Sequence, residues 1–191
     1  MEPILYIIVR PIIKLFCNIV YRPTYIGLNN IPKDGALVLA GNHTNYLDSI
    51  LLISSTKRVV HFLAKDELTK GAKKVIFKNM GIIPVNRKIH DTNALNKAID
   101  YLNMKKVIGI FPEGTINRTK KTIMPFKTGA IRMAKQTNSY IVPFTIKGKY
   151  KPFKKSVKIE FYKPYKVNNT NIEEENEKLM QKISCELDKE K

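Results

Sequence analysis

A histidine and an aspartate that could form a proton-transfer pair stand in the run Gly41-Asn42-His43-Thr44-Asn45-Tyr46-Leu47-Asp48. On a continuous helix, positions with this spacing point about 140° apart, so the two side chains would not meet. They meet if His43 lies in a strand-to-helix turn and Asp48 in the first helical turn, its side chain leaning back toward the N-terminus. A carboxylate on one imidazole nitrogen fixes the tautomer and raises the basicity of the other. Such a pair is the base and orienter of a hydrolytic triad without a nucleophile beside it. It suits direct removal of a proton from a substrate hydroxyl. The alternative is that Asn45 and Asp48 cap a helix and His43 is an ordinary loop residue.

Three further segments carry polar groups or turn chemistry. Phe111-Pro112-Glu113-Gly114-Thr115 places a carboxylate, a glycine and a hydroxyl in a tight turn. That combination can bind polyol hydroxyls or turn backbone N–H groups toward an anion; it can also be a plain turn. Arg87 ends Gly81-Ile82-Ile83-Pro84-Val85-Asn86-Arg87 and offers a fork-shaped donor for phosphate, or a solvated surface charge. Ile141-Val142-Pro143-Phe144 reads as an apolar strand whose default role is packing.

These residues need a scaffold. Short apolar runs at 36–40, 59–63, 82–85, 107–111 and 140–146 suit strands buried on both faces. Residues 157–162 alternate more and predict an edge strand. Helical spacing links Leu68, Ala72, Val75, Ile76 and Met80, then Ala94, Leu95, Ala98, Ile99 and Leu102, then 129–136. A last helix carries Ile172, Leu179, Met180, Ile183 and Leu187, with Thr170 and Glu173 as a capping box. Strands alternating with helices predict an α/β fold with a mostly parallel central sheet flanked by helices. Sites in such sheets lie beyond the carboxyl ends of the strands. His43 and Glu113 each follow a predicted strand.

The first 30 residues differ in character. Residues 4–9 are apolar and the trend continues to Val20, interrupted by Arg10, Pro11 and Lys14. A bilayer span needs about 20 mostly apolar residues. The interrupted stretch, with no basic leader or small-residue cleavage site, predicts one or two short amphipathic helices in the membrane interface. A core helix is the alternative. The expected organisation is a membrane-associating segment over 1–30 and one α/β domain over 31–191.

Lys and Arg number 34 against 16 Asp and Glu, a formal net charge of +18. The balance says nothing of fold but favours anionic partners: an acidic membrane surface, phosphorylated substrates or nucleic acid. With 43% hydrophobic residues the chain is not of the disordered class. Cys17 and Cys185 stand far apart, and no Cys/His cluster predicts a metal site. A nucleic-acid-binding module would use the aromatics among lysines at 147–165, but it leaves the apolar N-terminus, His43, Asp48 and Glu113 unexplained. A hydrolase would use the same His–Asp pair on water.

Together the four segments resemble the glycerolipid acyltransferases, specifically the 1-acylglycerol-3-phosphate acyltransferase type. Asn42, His43 and Asp48 match its Asn-His-x4-Asp motif, Gly81 to Arg87 its second motif, and 111–115 its Phe-Pro-Glu-Gly-Thr motif. Val142-Pro143 and the Phe126-Lys127-x-Gly129-Ala130 stretch also fit, so the resemblance covers about residues 30–148. It implies His43 as base and Asp48 as its orienter. It implies Asn42, Arg87, Glu113, Gly114, Thr115 and Arg118 as substrate-binding residues. Glu113 and Gly114 would hold the glycerol, and Arg87, helped by Lys65 or Arg118, the acceptor phosphate.

No cofactor or metal is implied. The co-substrate is an acyl thioester on coenzyme A or acyl carrier protein, the acceptor a lysophospholipid, and the location the cytoplasmic face of the cell membrane, without nucleic acid. Backbone amides in the 111–115 turn or in the helix after His43 are expected to face the oxyanion. In one departure, Ile116-Asn117 stands where Arg-Ser usually follows the third motif. Either Arg118, Lys120 or Lys121 takes over the phosphate contact, or the acceptor differs.

Overall fold

The computed structural model describes residues 3–69, 73–86 and 91–189. The chain opens with α1 (Ile4–Phe16), prolonged by a π-helical turn at Cys17–Tyr21. There follow β1 (Thr24–Ile26), β2 (Leu37–Gly41), α2 (Asp48–Ser55), β3 (Val60–Lys65), α3 (Lys73–Asn79) and β4 (Ile83–Val85). Next come α4 (Thr92–Asn103), β5 (Val107–Ile110), α5 (Gly129–Gln136), β6 (Tyr140–Gly148), β7 (Val157–Phe161), β8 (Tyr165–Lys166) and α6 (Ile172–Asp188).

The strands make one 8-stranded sheet in the order β1-β7-β6-β2-β5-β3-β4, with β8 beside β6. Pairs through β2, β5, β3 and β4 are parallel, as the apolar runs predict. Only β7 and β8 run antiparallel to β6. The edge expected at 157–162 is displaced. β1 pairs with β7 from outside, through Thr24↔Lys158 and Ile26↔Glu160, so residues of the N-terminal segment form the sheet's margin.

Period-two alternation divides the core. Leu37 and Leu39 of β2 face Tyr6 of α1 and Leu51 and Leu52 of α2, together with Val142, Phe144 and Ile159. Val38 and Ala40 face the opposite layer, where Ala98 and Leu102 of α4, Ile131 of α5 and Leu179 and Ile183 of α6 pack. The result is a three-layer helix–sheet–helix arrangement, and burying so many aliphatic side chains at about 1.5–3 kcal/mol each supplies its main drive.

Three local points refine the sequence reading. Of the one or two helices expected over the N-terminal stretch, one forms, and α1 runs through Pro11. Proline removes one helix hydrogen bond and crowds the preceding turn. Tertiary contacts just before the proline hold the helix: Tyr6 Oη accepts from Val60 N, and Arg10 Nε donates to the Thr56 carbonyl. Second, of the face read over 68–80, Val75 and Ile76 are exposed while Met80 packs on the core, and Ala72 lies outside the described residues. Third, α6 is capped by Asn171, whose side chain accepts from Glu173 N and Glu174 N, not by Thr170.

Candidate active site

β2 and β5 are parallel neighbours in register, Ala40 opposite Ile110, so their carboxyl ends deliver two turns side by side. Gly41 ends β2 because a side chain there has no room: an added Cβ would lie 2.4 Å from the Phe144 ring. The chain leaves the strand at Asn42, turns through His43, and enters α2 at Asp48.

His43 Nδ1 lies 2.9 Å from Asp48 Oδ2, so the turn-then-helix geometry expected from the spacing is present. Asp48 is 0% exposed and its carboxylate is densely bonded. Oδ2 also accepts from Thr44 N at 2.6 Å and Asn45 N at 2.7 Å, two amides of the turn that leads into the helix. Leu47 is the N-cap residue of α2 and makes no side-chain cap bond, so the carboxylate pins the turn as well as the imidazole. Its other oxygen accepts from Tyr150 Oη at 2.7 Å, out of the turn after β6. Burial and the adjacent Asp48 charge push the Tyr150 phenol well above its usual range, which keeps its proton in place as a donor.

The second turn splints the first. Glu113 Oε1 accepts from His43 N at 2.8 Å, and Asn117 N donates to His43 O at 2.8 Å. Both main-chain groups of His43 are thereby held from the β5 side. Glu113 Oε2 accepts from Met124 N at 2.9 Å. Burial raises the Glu113 carboxyl above the usual range, and these two amide donors oppose the rise. The Phe111 ring stacks on the imidazole at 4.1 Å with planes 12° apart, fixing the ring's tilt. The His43 side chain remains 14% exposed, so its ring still reaches solvent. With Nδ1 toward Asp48, Nε2 is the nitrogen left to act as base.

The substrate-binding expectations separate. Asn42 is buried, its amide donating to Ile146 O at 2.9 Å and accepting from Ile146 N at 2.8 Å. It continues the β2–β6 ladder by side chain instead of facing a cleft. Glu113 is likewise committed to backbone amides. Gly114 adopts φ 75°, which favours glycine, and lies against the Lys127 side chain, whose Nζ would be 3.2 Å from an added Cβ. Thr115 is exposed. Arg118 is exposed at the same end, with Nη2 3.3 Å from Tyr46 Oη. Lys65, at the end of β3, pairs with Glu67 at 2.7 Å. Arg87 lies outside the described residues.

The expected oxyanion donors are also narrowed. Thr44 N and Asn45 N serve Asp48, and Gly114 N donates to Phe111 O at 2.9 Å. Tyr150 was missed by sequence reasoning because it belongs to no motif. Its only signal is an aromatic hydroxyl just beyond an apolar strand.

The family model described as acyltransferase matches residues 22–147, a span that includes His43, Asp48, Glu113 and Val142-Pro143. A 1-acyl-sn-glycerol-3-phosphate acyltransferase of Borreliella burgdorferi is 37% identical over 123 residues, 63% of this chain and 49% of its own. One from Bacillus subtilis is 31% identical over 121 residues, 62% of this chain and 59% of its own. The chain thus spans about half the length of the curated relatives it matches. The crystal structure of the 1-acyl-sn-glycerophosphate (LPA) acyltransferase PlsC from Thermotoga maritima has the same fold. The TM-score is 0.75 at 22% identity, covering 95% of this chain and 79% of that one. With the family model matched across most of its length, the chain belongs to the acyltransferase family.

Proposed function

We propose that this chain transfers a fatty acyl group from an acyl thioester to the free sn-2 hydroxyl of 1-acylglycerol 3-phosphate, giving phosphatidic acid for phospholipid synthesis. The observation that carries the reading is the 2.9 Å contact of His43 Nδ1 with a wholly buried Asp48, beside a turn that grips the His43 backbone. Nε2 takes the proton as the acceptor oxygen attacks the thioester carbonyl. A C–O bond forms, the C–S bond breaks, and the departing thiolate recovers the proton from the imidazolium. General-base assistance of this kind contributes about 10²–10⁴-fold. The donor is acyl-CoA or acyl carrier protein. Arg118 and Lys127 stand beside the 113–115 turn, and in this reading they meet the acceptor phosphate, with Arg87 as a further candidate.

The same reading accounts for α1. Ile4–Tyr21 is long and apolar enough to cross a membrane by length and composition. One side of the helix is docked on the domain through Tyr6, Arg10 and Cys17, while Ile4, Ile8, Ile12, Leu15 and Ile19 are exposed on the other. A helix held along its length on a domain supports lying in the interface. In this reading the protein associates peripherally with the cytoplasmic face of the cell membrane, and the exposed apolar side of the docked helix supports the membrane contact.

The test incubates purified protein with acyl-CoA or acyl carrier protein thioester and a panel of lysolipids, with products identified as diacyl lipid or free fatty acid. His43→Ala should remain folded and membrane-bound yet lose transfer by at least about 10²-fold. Near-wild-type turnover in that variant would remove His43 as base. Free fatty acid as the main product would replace transfer by hydrolysis.

A further inference from the structure

We propose that the turn between β6 and β7, residues 149–156, is a second membrane contact that reads anionic phospholipid headgroups beside the apolar face of α1. The inference rests on the lipid-acceptor reading above. Lys151-Pro152-Phe153-Lys154-Lys155 forms the tip, and all five residues are exposed. Phe153 is 64% exposed, a large aromatic side chain standing in water. Its φ is 60°, a left-handed conformation uncommon for a bulky residue. No Asp or Glu occurs between 148 and 159, so the tip carries unmixed positive charge.

The tip is held in place. Ser156 Oγ donates to Lys149 O at 2.7 Å and accepts from Lys151 N at 3.2 Å, and Lys149 N donates to Ser156 O at 2.9 Å. Phe153 N donates to the carbonyl of Val20, at the end of the apolar helical stretch. Phe16 meets Tyr21 edge-on at 5.8 Å, and Tyr21 meets Tyr150 at 5.5 Å. The turn that carries the exposed Phe153 is thereby tied to the helical stretch that carries the exposed Phe16 and Ile19. An aromatic at the headgroup boundary ringed by lysines combines the apolar and electrostatic attractions that hold peripheral proteins on acidic bilayers. Because Tyr150 of the same turn bonds Asp48, this contact also sets the dyad's height relative to the lipid surface.

The experiment is co-sedimentation of the full chain with phosphatidylcholine vesicles, with and without phosphatidylglycerol, over a range of salt. Wild type should prefer the acidic vesicles, and the preference should fall as salt rises. The combined variant Lys151→Glu, Lys154→Glu, Lys155→Glu should lose about 10²-fold of that preference, while acyl transfer in detergent micelles stays at the wild-type level. Phe153→Ser should weaken binding to both vesicle types. Unchanged acidic-vesicle binding in the triple variant overturns the proposal. So does an equal loss on reversing the exposed Lys33, Lys97 and Lys105, which would make the effect one of net charge. Stronger binding of single-stranded RNA than of acidic vesicles through the same three lysines also overturns it. Transfer in detergent without a loop effect on binding defeats only this inference. A loop effect without any transfer defeats only the acyltransferase reading.

Discussion

Asp48→Asn is the sharpest perturbation of the dyad. Three N–H donors converge on Oδ2, from His43 at 2.9 Å, Thr44 at 2.6 Å and Asn45 at 2.7 Å. The oxygen of an asparagine must occupy that site, because its amide group there would meet three donors. The amide nitrogen then takes the Oδ1 site facing Tyr150, whose hydroxyl can turn to accept. The bonds to Thr44 N and Asn45 N and the histidine tautomer all survive, and only the charge is lost. A hydrogen bond to a charged group contributes about 1.5–3 kcal/mol, and a neutral one about 0.5–1.5. The imidazolium of the transition state thus loses about 1–2 kcal/mol of stabilisation, a fall of about 5–30-fold in kcat. Thiol release from acyl-CoA in the presence of lysophosphatidic acid measures it, alongside thermal unfolding. A loss as large as that of His43→Ala with the melting temperature preserved would refute the tautomer argument, and no loss would refute the role of the charge. Asp48→Ala is less informative, since each buried donor stranded by it costs about 1–3 kcal/mol and threatens folding.

Two other residues give separable outcomes. Tyr150→Phe removes a donor from the buried Oδ1 and should cost about 1.5–3 kcal/mol of stability by thermal or urea unfolding. Glu113 is raised by burial in the folded state, so folding favours its protonated form. Its contribution is full below the ordinary glutamate range and is lost as pH rises through the raised value. The stability gap between wild type and Glu113→Gln should therefore shrink as pH rises above the ordinary glutamate range, and a widening gap would contradict the assigned direction.

The parallel sheet was legible because its strands are short apolar runs buried on both faces, as at Leu37–Gly41 and Val107–Ile110. The dyad was legible because the spacing of His43 and Asp48 works only across a strand-to-helix turn. What the sequence concealed were matters of tertiary contact. Asn42 and Glu113 resemble ligand-binding residues by type, yet they bond backbone groups distant in sequence, Ile146 and His43 respectively. Pro11 signals a break that Val60 and Thr56 override from another part of the chain. The margin strand β1 is only Thr24–Ile26, too brief to give a period, and it exists because β7 is there to pair with it.

Asn117 donates its main-chain N–H to His43 O, while its side chain bonds Thr119 and the Lys121 carbonyl and so shapes the rim. The departure from Arg-Ser at 116–117 therefore changes what projects from the rim while a main-chain donor to the histidine is kept. Under the proposed reading, the grip on the base and the groups that meet the headgroup are different atoms of one short segment, which makes the rim the place to re-engineer headgroup choice.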